Sequence, residues 1–227
     1  RVYRWEDEDL LPFFIQESNL IDVQYDANGD IIPGAKPGDE MFDRQMAAWD
    51  VFCYYREQDR LPDSIYLDAH REMTRGLELF ERRGMSGVYR DCEVHIGGTP
   101  PFYKDGEPTL EPGRIEIVMR ELLMPDLRAM IERSKAAGDA GDMELNGGRS
   151  MMAWAHHCQF ECIHPFWDGN GRLGRLGLLD ASKRLGVAFP HVVRYERRES
   201  YYEMLQAYRR TFFHKWLEGK SPTGDTR

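Results

Sequence analysis

The 227-residue sequence is short of cysteine, of basic charge and of long apolar runs. Its four cysteines, Cys53, Cys92, Cys158 and Cys162, are too few and too scattered for a disulfide framework. Lys and Arg number 30 against 39 Asp and Glu, a formal net charge of −9. That balance argues against a nucleic-acid partner, because neutralising phosphates along a strand needs a basic face. No stretch approaches the roughly 20 apolar residues that cross a bilayer, so no membrane partner is expected. Arg1 to Leu10 is too acidic for a signal peptide, which makes the cytoplasm the expected location. Arg1 is not an initiator methionine, so the sequence reads as a processed chain or an excerpt.

What the sequence does have is one chemically dense stretch, Ile163 to Leu176. Before it, Met151, Ala155, Cys158 and Cys162 recur at helical spacing, and Pro165 stops that helix by lacking an N–H. After it, Leu173, Leu176, Leu178, Leu179, Ala181 and Leu185 describe a helix so nearly apolar all round that it belongs at the centre, with Gly186 as its cap. Gly169 and Gly171 bracket Asn170 and tolerate positive φ, so the backbone can turn its N–H groups inward as a nest for anions at a helix start. Arg172 and Arg175 project from one face of the first turns. Two guanidiniums, backbone donors and a helix N-terminus together describe a polyphosphate site. Asp168 suits a divalent cation bridging phosphates, since Mg²⁺ is commonly held by one or two carboxylates plus substrate oxygens. His164 has an ordinary pKa near neutrality and suits taking a proton from a hydroxyl. An EF-hand is excluded, because Arg172 and Leu179 fall where ligand oxygens belong. His156, His157, Cys158, Cys162 and His164 do not assemble a zinc knuckle, and His157 reads as a packing residue.

The run from His164 to Arg175 resembles the signature of the Fic family, His-Pro-Phe-x-Asp/Glu-Gly-Asn-Gly-Arg-x-x-Arg, at every fixed position. The similarity extends to His157, Phe160 and Glu161, to Gly87-Val88-Tyr89-Arg90 and Val94-His95-Ile96, and to Tyr201, Tyr202 and Leu205, over roughly residues 60 to 215. The resemblance implies a mainly α fold, a Fic-type helical domain with a small β-hairpin flap. It implies AMP transfer from ATP, with Mg²⁺, onto a Ser, Thr or Tyr hydroxyl of a target protein.

In that scheme His164 is the catalytic base and Asp168 holds the metal. Gly169, Asn170, Gly171, Arg172, Arg175 and Tyr202 bind the nucleotide. Val94, His95, Ile96 and Gly97 form the flap that docks the protein substrate. Where the family often has Asn, Arg209 stands, which leaves the base selectivity open. Ser18-Asn-Leu-Ile-Asp22-Val23 resembles a degraded inhibitory helix, with Asp22 directed at Arg175; a separate antitoxin-like inhibitory partner is the other form of control the family uses. Two other functions remain in view: the same pocket serving kinase-like, UMP or phosphocholine transfer, and a nucleotide-binding interaction module without turnover.

The domain layout expected is an N-terminal helical extension over 1–60, a Fic domain over 61–220 and a disordered tail over 221–227. Leu10 to Ile21 reads as a helix, Val23 to Ile32 as a hairpin around Asn28-Gly29, and a helix begins near Asp39. One helix is expected from Pro62-Asp63-Ser64 through about Arg82, with His70 a hydrogen-bonded core residue and Gly84 the cap. Val88 to Pro101 favours strand. Glu111 to Lys135 is helical with Pro125 kinking or dividing it, Ala136 to Gly148 reads as loop with Ser150 as the next N-cap, and Arg198 to Lys220 is the last helix.

Overall fold

The computed structural model describes residues 4–21, 38–96, 107–138 and 143–218. Helices dominate: α1 (Leu10–Ile21), α2 (Glu40–Glu57), α3 (Ile65–Thr74), α4 (Glu78–Arg83), α5 (Ile115–Val118), α6 (Met124–Ala136), α7 (Met143–Ile163), α8 (Asn170–Arg184), α9 (Arg198–Tyr208) and α10 (His214–Leu217). The described strands are β1 (His95–Ile96) and β2 (Glu107–Pro108), paired antiparallel with His95 opposite Pro108 and Ile96 opposite Glu107. The fold is the mainly α one expected.

The apolar pattern of 173–185 places α8 at the centre. Leu173, Leu176 and Leu179 join one core cluster with Phe14, Phe52, Tyr66 and Phe166, while Leu178, Ala181 and Leu185 join a second with Ile21, Leu127 and Val193. Close approach to its neighbours depends on glycine. A Cβ at Gly174 would stand 2.1 Å from Glu161 Oε1 and 2.9 Å from Phe160 on α7, and one at Gly177 would stand 2.4 Å from the Tyr66 hydroxyl on α3. Among buried polar groups, Asp180 on α8 is paired with Arg56 on α2 at 2.5 Å and Arg184 at 2.6 Å.

Three expectations need correction. The helix expected from Pro62 through Arg82 is two, because Arg75 is extended and Gly76 takes φ +72°, so α3 ends at Thr74 and α4 begins at Glu78. The expected loop over 136–148 is in part helix, since α7 already runs from Met143, and Ser150 lies inside it rather than at its cap. Long-range contacts outweigh the helix cost of Gly147 and Gly148: Arg149 donates to Ser134 O and Gly138 O, and Asn146 Oδ1 accepts the Ala188 N–H. Pro125 does divide its region, as expected: it stands in the first turn of α6, and the turn before it widens to a π-helix over Met119–Leu123 that separates α6 from α5. Met151 does not join the buried face of α7 and is 75% exposed. The hairpin expected over 23–32 and the tail 221–227 lie outside the described residues.

Candidate active site

The loop between α7 and α8 is closed by bonds among its own residues and held from outside by His70 and Arg90. His164 N–H still bonds back to Phe160 O at 2.9 Å, the last turn of α7, and the chain then leaves the helix through a left-handed residue, His164 at φ +52°. Phe166 turns inward, fully buried, and stacks on the His70 ring with centroids 4.0 Å apart and planes within 4°. Asn170 closes the loop: its Oδ1 accepts the Phe166 N–H at 2.8 Å and its Nδ2 donates to Phe166 O at 2.7 Å. His70 supports the loop from α3. Its Nδ1 accepts the Gly87 N–H at 3.0 Å, which leaves Nε2 to donate to Asp168 O at 3.2 Å. Burial pushes this histidine down to about 4, so it stays neutral.

Gly169 caps α8 with φ +79°, and its missing side chain makes room for Met73, whose methyl would stand 2.5 Å from a Cβ there. The first intrahelical bond of α8 runs from Leu173 N–H to Gly169 O at 2.9 Å, so the N–H groups of Asn170, Gly171 and Arg172 precede it and point along the helix start. Asp168 is mostly exposed. Its Oδ1 accepts the Gly169 N–H at 2.6 Å and its Oδ2 lies 3.4 Å from Arg172 Nη2.

His164, Gly171, Arg175 and Tyr202 come together on one cavity of about 440 Å³, joined by Ile96 of β1, by Glu161 and Cys162 of α7, and by Tyr201, Leu205, Gln206 and Arg209. That volume suits a small-molecule ligand. The half-buried His164 imidazole is pushed down to about 3 by desolvation, with the guanidiniums of Arg90 and Arg209 acting in the same sense and the Asp168 carboxylate against them. Its Nδ1 is buried without a hydrogen-bond partner among the described residues. Arg175 is 1% exposed and donates from Nε to Ser18 Oγ and from Nη2 to Ser18 O, both at 2.8 Å. Tyr202 donates from its hydroxyl to Ile21 O at 2.9 Å. The last turn of α1 therefore holds two cavity residues at once.

Of the other residues singled out by sequence, Asp168, Gly169, Asn170 and Arg172 shape the loop and helix start without lining the cavity. Val94 and His95 precede Ile96, and Val94 O accepts from Thr109 at 3.2 Å through its N–H and 2.6 Å through its hydroxyl. Gly97 and Asp22 lie outside the described residues. Among the described residues no group of three or more His, Cys, Asp or Glu gathers as metal ligands. His157 bridges three helices, with Nδ1 to Gly174 O at 2.9 Å and Nε2 to the Tyr201 hydroxyl at 2.8 Å. Gln206, which the sequence did not single out, follows from spacing: residues 201, 202, 205, 206 and 209 form one helical face. No periodicity points to Arg90, whose five side-chain bonds tie the loop to the hairpin.

The model of the Fic/DOC family matches residues 64–179. No curated protein matches the chain. Among solved structures, a Fic domain containing signaling protein from Bacteroides thetaiotaomicron VPI-5482 superposes with a TM-score of 0.56 at 19% identity, over 89% of this chain and 72% of that one. Fic-1 from C. elegans superposes with a TM-score of 0.51 at 19% identity, over 94% of this chain and 59% of that one. At these identities the likeness is one of fold.

Proposed function

The chain belongs to the Fic/DOC family, whose members are generally transferases that modify proteins, and from that premise we propose that it transfers AMP from ATP onto a Ser, Thr or Tyr hydroxyl of a target protein, releasing pyrophosphate. The observation that carries this reading is the shared cavity of His164, Gly171, Arg175 and Tyr202, beside a helix start whose first amides precede its first intrahelical bond. In this reading residues 1–60 are an N-terminal extension and 61–220 the Fic domain.

The reaction is an in-line displacement at phosphorus, in which positioning and charge neutralisation supply most of the catalysis. Gly169, Asn170 and Gly171 present the nest, though the Asn170 side chain serves the loop and only its amide faces the phosphates. Arg172 and Arg175 neutralise the phosphates and the departing pyrophosphate. Tyr202 walls the base, and Val94, His95, Ile96 and Gly97 receive the target segment by strand addition. Asp168 fits Mg²⁺, being an exposed carboxylate beside a phosphate-binding helix start and a guanidinium; the ion supplies charge stabilisation on phosphate oxygens.

His164 accepts the hydroxyl proton. Without substrate, burial and then Arg90 and Arg209 hold its pKa below the usual histidine range; a bound triphosphate places several negative charges near it, opposing the two guanidiniums and raising that pKa. Binding the nucleotide thus prepares the base. Ser18 on α1, with Asp22 beyond it, is the inhibitory element in this reading, since Arg175 Nε and Nη2 donate to Ser18 and are thereby turned away from a phosphate.

A second reading is favoured by Arg209. An amide matches the N6/N7 edge of adenine, whereas a guanidinium only donates and matches paired acceptors such as guanine O6/N7. GMP transfer is therefore the alternative to AMP.

The test is transfer of label from α-labelled ATP, with Mg²⁺, to proteins of a cell extract. His164→Ala should reduce it by ~10²-fold or more while ATP binding persists. Equal labelling by the variant would overturn the role given to His164.

A further inference from the structure

Arg90 holds a place that neither the motif nor the cavity lining explains. It is 2% exposed, and its fork of donors reaches two sets of acceptors. On the loop side Nε donates to His164 O at 2.7 Å and Nη2 to Ile163 O at 3.3 Å, while the Arg90 backbone N–H donates to Pro165 O at 2.9 Å. On the hairpin side Nη1 donates to Cys92 O at 2.6 Å and Nη2 to Thr109 Oγ1 at 2.7 Å and to Leu110 O. Thr109 in turn is bonded twice to Val94 O, so both arms of the hairpin close on the same guanidinium.

The loop residue so gripped is strained. His164 is a non-glycine residue at φ +52°, and it directly precedes Pro165, which further restricts its backbone. Such a conformation persists only where its surroundings over-determine it. The carbonyl of that very residue, and those on either side of it, are held by Arg90.

We propose that Arg90 is a positioning residue that fixes the left-handed backbone aiming the His164 imidazole into the cavity and fastens that backbone to the hairpin. A target segment added along β1 and the imidazole that takes its proton then move as one body. This rests on the transfer reading above, and the experiment separates the two.

The first measurement needs no substrate: the ring resonances of His164 by ¹⁵N NMR across pH, in wild type, Arg90→Gln, Arg90→Lys and Thr109→Val, with melting curves as the check of folding. The groups facing the imidazole are Arg90 and Asp168 from the flanking segments, Glu161 and Cys162 from α7, and Arg209 after α9. In Arg90→Gln the titration midpoint should rise and the ring resonances should broaden. Arg90→Lys should keep the charge and restore the midpoint in part while still broadening the ring, because one ammonium cannot reach both sets of acceptors.

The second measurement is label transfer from α-labelled ATP to extract proteins. In Arg90→Gln the maximal rate should fall by ~10²-fold with the half-saturating ATP concentration unchanged. Should Arg90→Gln fail to fold, Thr109→Val takes its place; it keeps the loop-side bonds, and it should shift the His164 resonances and slow transfer several-fold. A folded Arg90→Gln, or Thr109→Val in its place, with wild-type ring resonances, or with a rate lowered only through weaker ATP binding, would overturn the proposal. If wild type transfers no label at all, the transfer reading fails, and the ring resonances alone decide the role of Arg90.

Discussion

Asn170 sits in the middle of the motif, yet its carboxamide is engaged entirely with the backbone of Phe166. Asn170→Ala leaves a buried N–H and carbonyl unpaired, which costs about 1–3 kcal/mol. In a chain of this size each kcal/mol lowers Tm by roughly 2–4 °C, so the variant should melt several degrees lower and bind ATP more weakly through a slackened nest. Calorimetry and an ATP titration check both; an unchanged Tm would contradict the closure described. Such residues show what was legible. The loop could be read because its bonds are local, Phe166 to Asn170 being four residues apart. Arg90 and His70 act on the same loop from 74 and 98 residues away, and no spacing within either segment records those contacts.

Elements behaved likewise. Helices with clear local periodicity, α1 and α8, were legible nearly to their ends and α2 at its start, while the break at Gly76 and the early start of α7 depend on partners elsewhere in the chain. The α7–α8 contact relies on Gly174, and Gly174→Ala should destabilise by about 1–3 kcal/mol because Glu161 and the Phe160 ring must both move. Denaturant unfolding measures this, and a neutral outcome would mean that the helices separate freely. The α1 contact yields a functional prediction. A chain beginning at residue 24 loses the Ser18 bonds to Arg175 and the Ile21 bond to Tyr202. It should bind ATP more tightly and transfer faster, although it melts lower for want of buried Phe14 and Ile15. Unchanged affinity and rate would remove the inhibitory reading of α1.

Over the whole molecule, His70 is pushed down to about 4, and His156, His157 and His164 to about 3, each chiefly by burial. Between an unfolded value near 6.5 and these folded values the unfolded chain binds more protons, so stability rises with pH there. The contribution is fully present above about pH 6.5 and is lost as pH falls toward 3, by up to about 1.4 kcal/mol per unit for each histidine. Asp180, raised by burial, acts in the opposite sense, one carboxyl against these four histidines and His191, which burial also lowers. Tm should therefore be level above pH 6.5 and drop steeply below it; a flat profile down to pH 4.5 would mean that these imidazoles are hydrated.

The central claim is that this cavity, with the helix start beside it, serves attack at the α-phosphate of a nucleotide by a protein hydroxyl. The direct measurement is which phosphate becomes covalently attached to protein when ATP labelled at the α position and ATP labelled at the γ position are supplied in parallel with Mg²⁺ and cell extract. The account predicts label from the α position only, dependent on His164. Label from the γ position, or His164-independent label from either, would contradict it.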